Sequence, residues 1–197
     1  MTANDFIIEG GVLTEHRMDA ITVENGIIIP NNVLAIGDSA FRNCANITSV
    51  IIPGNVTFIG QNAFNYCDNL KTVKILEGVK SIGEDAFGDC DRLKTVIIPK
   101  SVIYIGAGAF FSCNSMTSVT IPGSVTSISE GTFSCCRNLQ SVVIEEGVKT
   151  IGERAFDYCK NLEYVKFPNS ITVIGNGAFE ECINLETVII PRGVKTI

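Results

Sequence analysis

Asn62-Ala63-Phe64-Asn65-Tyr66-Cys67-Asp68-Asn69-Leu70-Lys71-Thr72-Val73-Lys74-Ile75-Leu76-Glu77-Gly78-Val79-Lys80-Ser81-Ile82-Gly83 decides the fold, because its pattern returns every twenty-three residues to the end of the chain. Phe41, Phe64, Phe87, Phe110, Phe133, Phe156 and Phe179 keep this spacing, and a cysteine follows each by three residues, from Cys44 to Cys182. No insertion interrupts the series. A long apolar residue recurs (Ile47, Leu70, Leu93, Met116, Leu139, Leu162, Leu185), followed by Val50 and its equivalents up to Val188. The Ile52 series, with Phe167 as its sixth member, and the series from Ile36 to Ile197 complete the pattern. Self-similarity at such a period marks a solenoid, in which a unit buries its apolar face only against its neighbours.

Within one unit, Leu70 to Ile75 ends in a period-two alternation rich in β-branched residues. It reads as a strand with Val73 and Ile75 inward and Thr72 and Lys74 outward. Proline follows at 53, 99, 122, 168 and 191 and ends the strand, since it cannot donate to a ladder. A turn leads to a second short extended piece, Val79 to Ile82, punctuated by Gly83. The stretch Glu84 to Cys90 is too short for an independent helix and is expected to make a single helical or 3₁₀ turn across the back. Coils stacked about 4.8 Å apart would align the phenylalanines, leucines and cysteines as ladders in one core.

The pattern Ile-Pro-x-x-Val-x-x-Ile-Gly-x-x-Ala-Phe-x-x-Cys, seen in Ile98-Pro99, Val102, Ile105-Gly106, Ala109-Phe110 and Cys113, resembles the BspA-type, Treponema pallidum-like leucine-rich repeat. The resemblance covers about residues 27 to 197, and the Phe6 to Leu13 stretch is similar to a cap that often precedes such arrays. It implies a leucine-rich repeat solenoid of the α/β horseshoe class, mainly β. A parallel sheet would form one face, with short strands and single helical or 3₁₀ turns on the other. It also implies binding or adhesion at bacterial or protist surfaces. Leu76 and Glu145 replace the proline, Ser129 the glycine, Thr132 the alanine and Met116 the leucine, which concerns single turns and not the array.

A chain of 197 residues with 46% hydrophobic and 18% charged content, and no linker-like composition shift, reads as one elongated domain. The expected division is an N-terminal cap over residues 1–35 and a seven-fold array over 36–197. A net charge of −6 with scattered basic residues argues against a nucleic-acid partner. No segment is long and apolar enough for a membrane helix, and Met1 to Phe6 does not begin a secretory signal. A chain complete as given would be cytoplasmic, whereas a fragment of a longer protein would belong at the cell surface or be secreted. Ile197 occupies a core position without a polar closing unit, so either the chain continues or two copies pair as a homodimer through that last repeat.

The eight cysteines lack the paired spacing of zinc sites, so no metal ligand set is expected. They read as a ladder of small buried thiols, with Cys135 out of register and the most exposed. His16 is the only histidine. It stands between Glu15 and Arg17, so a catalytic site would have to be assembled in the cap from residues without a recognisable motif. The chain is therefore read as no enzyme and without a cofactor, an enzyme with a site around His16 being the alternative.

Function is expected on the outward face of the strands. One column comprises Ser49, Thr72, Thr95, Ser118, Ser141, Tyr164 and Thr187; the next comprises Ile51, Lys74, Ile97, Thr120, Val143, Lys166 and Ile189. The aliphatics there exceed what solvation requires and mark a candidate protein-binding strip, although β-branched residues also serve strand propensity. Tyr164, the aromatic of the columns, is the best single anchor. The resulting expectation is a binding module, an adhesin or host-interaction protein that engages host extracellular matrix or a surface protein. A cytoplasmic interaction scaffold of the same fold is the alternative.

Overall fold

A Gly10-Gly11 turn with both φ angles positive folds β1 (Phe6–Glu9) back on β2 (Val12–His16) in the antiparallel pair that begins the structure. The computed structural model describes residues 6–16 and 26–197. Thereafter long and short strands alternate, numbered in chain order. One face carries β3 (Ile27–Ile28), β5 (Ser49–Ile52), β7 (Thr72–Ile75), β9 (Thr95–Ile97), β11 (Ser118–Ile121), β13 (Ser141–Ile144) and β15 (Tyr164–Lys166). The second carries β4 (Ala35–Ile36), β6 (Phe58–Ile59), β8 (Ser81–Ile82), β10 (Tyr104–Ile105), β12 (Ser127–Ile128), β14 (Thr150–Ile151) and β16 (Val173–Ile174).

Strand pairings after the hairpin are parallel and join residues twenty-three apart, as Thr72 joins Ser49 and Ile82 joins Ile59. The first face is a sheet of β3-β5-β7-β9 and a sheet of β11-β13-β15. The second is a sheet of β1-β2-β4-β6-β8-β10 and a sheet of β12-β14-β16. In β7, Thr72 and Lys74 are exposed and Val73 and Ile75 buried, as period two requires. This is the leucine-rich repeat solenoid, mainly β, with a parallel sheet on one face.

The repeat phenylalanines form a continuous stack from Phe41 to Phe179, with centroids 4.8–5.4 Å apart and planes within 6° of parallel. Beside it runs the thiol ladder. From Cys67 to Cys182 each thiol of the ladder donates to the phenylalanine carbonyl of the coil before: Cys67 to Phe41 at 3.1 Å, Cys90 to Phe64 and Cys136 to Phe110 at 3.2 Å. A small side chain with a weak donor fits this column, since it fills little space and adds a bond to a buried carbonyl. None of the eight cysteines forms a disulfide. In the last coil Phe179, Cys182, Leu185 and Val194 are only partly buried.

The back of the coil differs from expectation: no helical or 3₁₀ turn forms there, nor elsewhere among the described residues. Two residues per coil adopt left-handed geometry, such as Asn62 (φ 55°) and Tyr66 (φ 58°), or Asp85 (φ 48°) and Asp89 (φ 55°). A left-handed residue every fourth position ends any right-handed run. It also turns alternate amides along the solenoid axis: Asn62 donates to Glu84 O at 2.8 Å, Phe64 to Ala86 O at 2.7 Å and Tyr66 to Gly88 O at 3.0 Å. The back is thus a third hydrogen-bonded ladder.

Candidate functional site

The outward columns of the first face are built by strand register. Ser49, Thr72 and Thr95 stand side by side, as do Ile51, Lys74 and Ile97. After the interruption, Ser118, Ser141 and Tyr164 align, as do Thr120, Val143 and Lys166. Ladder pairing does not join the two groups. Thr187 and Ile189 are exposed, but residues 187–190 belong to no strand.

Exposure varies along the strip. Ile97 is 71% exposed, Tyr164 54% and Ile189 84%. Thr72, Lys74, Thr95, Ser118, Thr120, Lys166 and Thr187 are exposed, whereas Ser49, Ile51, Ser141 and Val143 are half-buried. The strip is therefore hydroxyl-rich with isolated apolar knobs, not a continuous apolar band. Tyr164 borders a shallow cleft of about 580 Å³ whose wall includes Glu163, Asn184, Glu186 and Thr187. Lys166 borders another, about 560 Å³, with Lys100, Glu145 and Glu146. Each cleft brings charges to the rim of a flat sheet, where they steer and orient a partner more than they hold it.

Away from the strip, burial pushes up the carboxyls of Asp85, Asp89 and Asp157. Burial also raises the Cys90 and Cys136 thiols to about 12. The hydrogen bond with Cys44, then burial, drives Cys67 far up. Such thiols stay protonated and are poor nucleophiles. Cys135 is half-buried, on the back at a left-handed position. His16 ends β2, and its side chain lies outside the described residues, as does Arg17. Among the described residues no three His, Cys, Asp or Glu side chains are placed to hold a metal. No helix there is long and apolar enough to cross a membrane.

Sequence reasoning missed a second exposed apolar set on the short-strand face: Phe58, Ile103 and Tyr104, with Leu34 beside them. The signal was present, because residues 58, 81 and 104 share one column and two of the three are aromatic. It was passed over because a two-residue strand gives no alternation from which to tell outward from inward.

The family model for the BspA type leucine rich repeat region matches residues 21–136 and 80–197, with six copies. A leucine rich repeat protein of Treponema pallidum superposes with a TM-score of 0.86 at 29% identity, over 94% of this chain and 90% of that one. A leucine rich cell surface protein of Faecalibacterium prausnitzii gives 0.79 at 36% identity, over 95% of this chain and 53% of that one. A leucine-rich repeat protein of Bacteroides ovatus gives 0.66 at 29% identity, over 96% and 57%. The chain thus spans little more than half the length of the latter two. No curated protein matches it.

Proposed function

The chain belongs to the BspA type leucine-rich repeat family, and from that premise we propose that it is a non-enzymatic protein-binding module, an adhesin or host-interaction protein working at the cell surface. The family is a protein-interaction class, and fold alone does not name a partner. The observation that carries the reading is the outward strip, where Ile97 and Tyr164 project from the parallel strands and Ile189 from the segment after them, among hydroxyls and lysines. Exposed apolar knobs on a flat polar ground are what a protein partner covers. All fourteen residues of the two columns are assigned to that surface, residues 1–35 to a cap and 36–197 to the array. The cell-surface relative of Faecalibacterium prausnitzii supports the location.

The test pairs surface labelling of intact cells with binding to immobilised extracellular-matrix proteins. The combined variant Tyr164→Ala, Lys74→Glu, Lys166→Glu should bind at least about tenfold more weakly, a loss of about 1.4 kcal/mol, with an unchanged circular dichroism spectrum. Full retention of binding by that variant would assign the contact to the sheet edges or the terminal coil. One observation favours a second reading, a cytoplasmic scaffold: a row of free, protonated thiols suits a reducing compartment. Protection of the chain from surface labelling would favour it. In either setting the partly exposed core of the last coil offers a surface for a further coil or a second copy.

A further inference from the structure

Wherever the repeat glycine is present, its amide donates to the carbonyl of the core aliphatic residue one coil back, Leu13 for Gly37 and an isoleucine thereafter. Gly60 reaches Ile36, Gly83 reaches Ile59, Gly106 reaches Ile82, Gly152 reaches Ile128 and Gly175 reaches Ile151, all at 2.8–2.9 Å. A Cβ on any of these glycines would lie 2.5–2.9 Å from backbone of the preceding coil, closer than a real Cβ comes. Ser129 is where a side chain stands in that column. Between its coil and the one before, both strand ladders stop: β9 does not pair with β11, nor β10 with β12.

The local bonding follows from that substitution. Ser129 Oγ donates to the Ile105 carbonyl, the acceptor that a glycine amide would otherwise take. On the first face the Thr117 amide reaches Lys94 O at 3.4 Å, the longest of its column, against 2.8 Å for Lys71 to Thr48, 3.2 Å for Lys94 to Lys71 and 2.9 Å for Gln140 to Thr117. Pro122 removes a further donor, one that Leu76 and Glu145 supply to Ile52 and Ile121 at 3.0 Å. Pro53, Pro99 and Pro168 stand in coils that keep the glycine, whereas the coil of Pro122 has Ser129 in its place. A cleft of about 310 Å³ bordered by Ile97, Ser118 and Thr120 opens over the gap.

The third side stays closed. Gly108 donates to Glu130 O at 3.0 Å, Phe110 to Thr132 O at 2.9 Å and Ser112 to Ser134 O at 2.8 Å. Phe110 and Phe133 stack at 5.4 Å, and the Cys136 thiol bonds Phe110 O. Thr132, the other departure in this coil, ties its hydroxyl to Ser129 O at 2.8 Å.

We propose that this junction is a hinge: the coils before and after it turn as two rigid stacks about the continuous back ladder, opening and closing the sheet face between β9 and β11. Resistance to opening comes from bonds spread over three sides of a junction, and here the two strand sides lose their ladder pairing and keep isolated bonds, Thr117 to Lys94 and the Ser124 and Ser129 hydroxyls to Val102 and Ile105, so local opening concentrates at this point. The hinge rests on backbone geometry and stands or falls independently of the binding reading.

Hydrogen–deuterium exchange on the whole chain tests it. Amides within 118–129 should exchange about tenfold faster than their equivalents within 141–152. Ser129→Gly, which installs the residue found in the other coils, should bring them to the same protection and narrow the size distribution seen by small-angle scattering. Equal protection of the two segments in the unaltered chain overturns the hinge. So does a folded Ser129→Gly variant whose exchange is unchanged.

Discussion

Asp157 departs from the pattern of its own column. It is buried, its Oδ1 has no hydrogen-bond partner, and burial, then Glu180, pushes its carboxyl up from 3.8. The same column holds Asn65, whose Nδ2 donates to the Gly88 carbonyl of the next coil at 3.1 Å. Asp157→Asn should therefore remove a buried charge that the Arg154 guanidinium and the Tyr158 amide offset only in part, and place an amide donor near the Glu180 carbonyl. We expect a gain of about 1 kcal/mol at pH 7, read as a rise in melting temperature. Because the raised carboxyl favours its protonated form on folding, stability from this group is fully present below pH 3.8 and lost as pH rises through the raised value. The advantage of the asparagine should accordingly shrink towards pH 3, and an equal advantage at both pH values would refute this account.

At the scale of the element, the thiol ladder makes a separate prediction. Unfolded thiols ionise near 9.0, whereas Cys90 and Cys136 hold their protons to about 12 in the folded chain, mainly through burial. Their contribution is flat below about pH 9 and falls between 9 and 12, by roughly 1.4 kcal/mol per pH unit for each thiol at most. Melting temperature should drop steeply above pH 9, and Cys90→Ala should lessen the slope in melts from pH 8 to 11. A slope untouched by that change would place the alkaline loss elsewhere. Elements differed in how far the sequence disclosed them. The long strands were plain, since Thr72-Val73-Lys74-Ile75 alternates inside a strict twenty-three-residue period. The back was misread as a helical turn because only alternate amides bond locally, as Asn65 does to Asn62; the others bond the next coil, and no window of seven residues contains both partners of those. Asn62, Asp85, Gly108, Gly131 and Gly177 in one column did carry the signal, being residue types that tolerate positive φ.

For the whole molecule, a stack of nearest-neighbour contacts unfolds as one unit only while its junctions are equally strong. The weak junction at Ser129 should split the thermal transition, so that calorimetric enthalpy exceeds the van't Hoff value, and Ser129→Gly should bring the two closer. A single two-state transition in the unaltered chain would contradict this. The binding strip was legible as columns, because a fixed period fixes register, yet its interruption between Ile97 and Thr120 was not, since one serine among seven repeat positions looks like ordinary variation. Another property of the molecule follows from how its coils bond. On the back, each coil's amides point to carbonyls of the next coil, as Asn62 does to Glu84. Flanking the short strands they point the opposite way, as Gly83 does to Ile59 and Lys80 to Thr57. The two sets of peptide dipoles oppose one another and offset in part, whereas those of a long helix all add. Lengthening the array by copying coils therefore separates less charge per residue than lengthening a helix does, and leaves more of the electrostatics of either end to its own side chains.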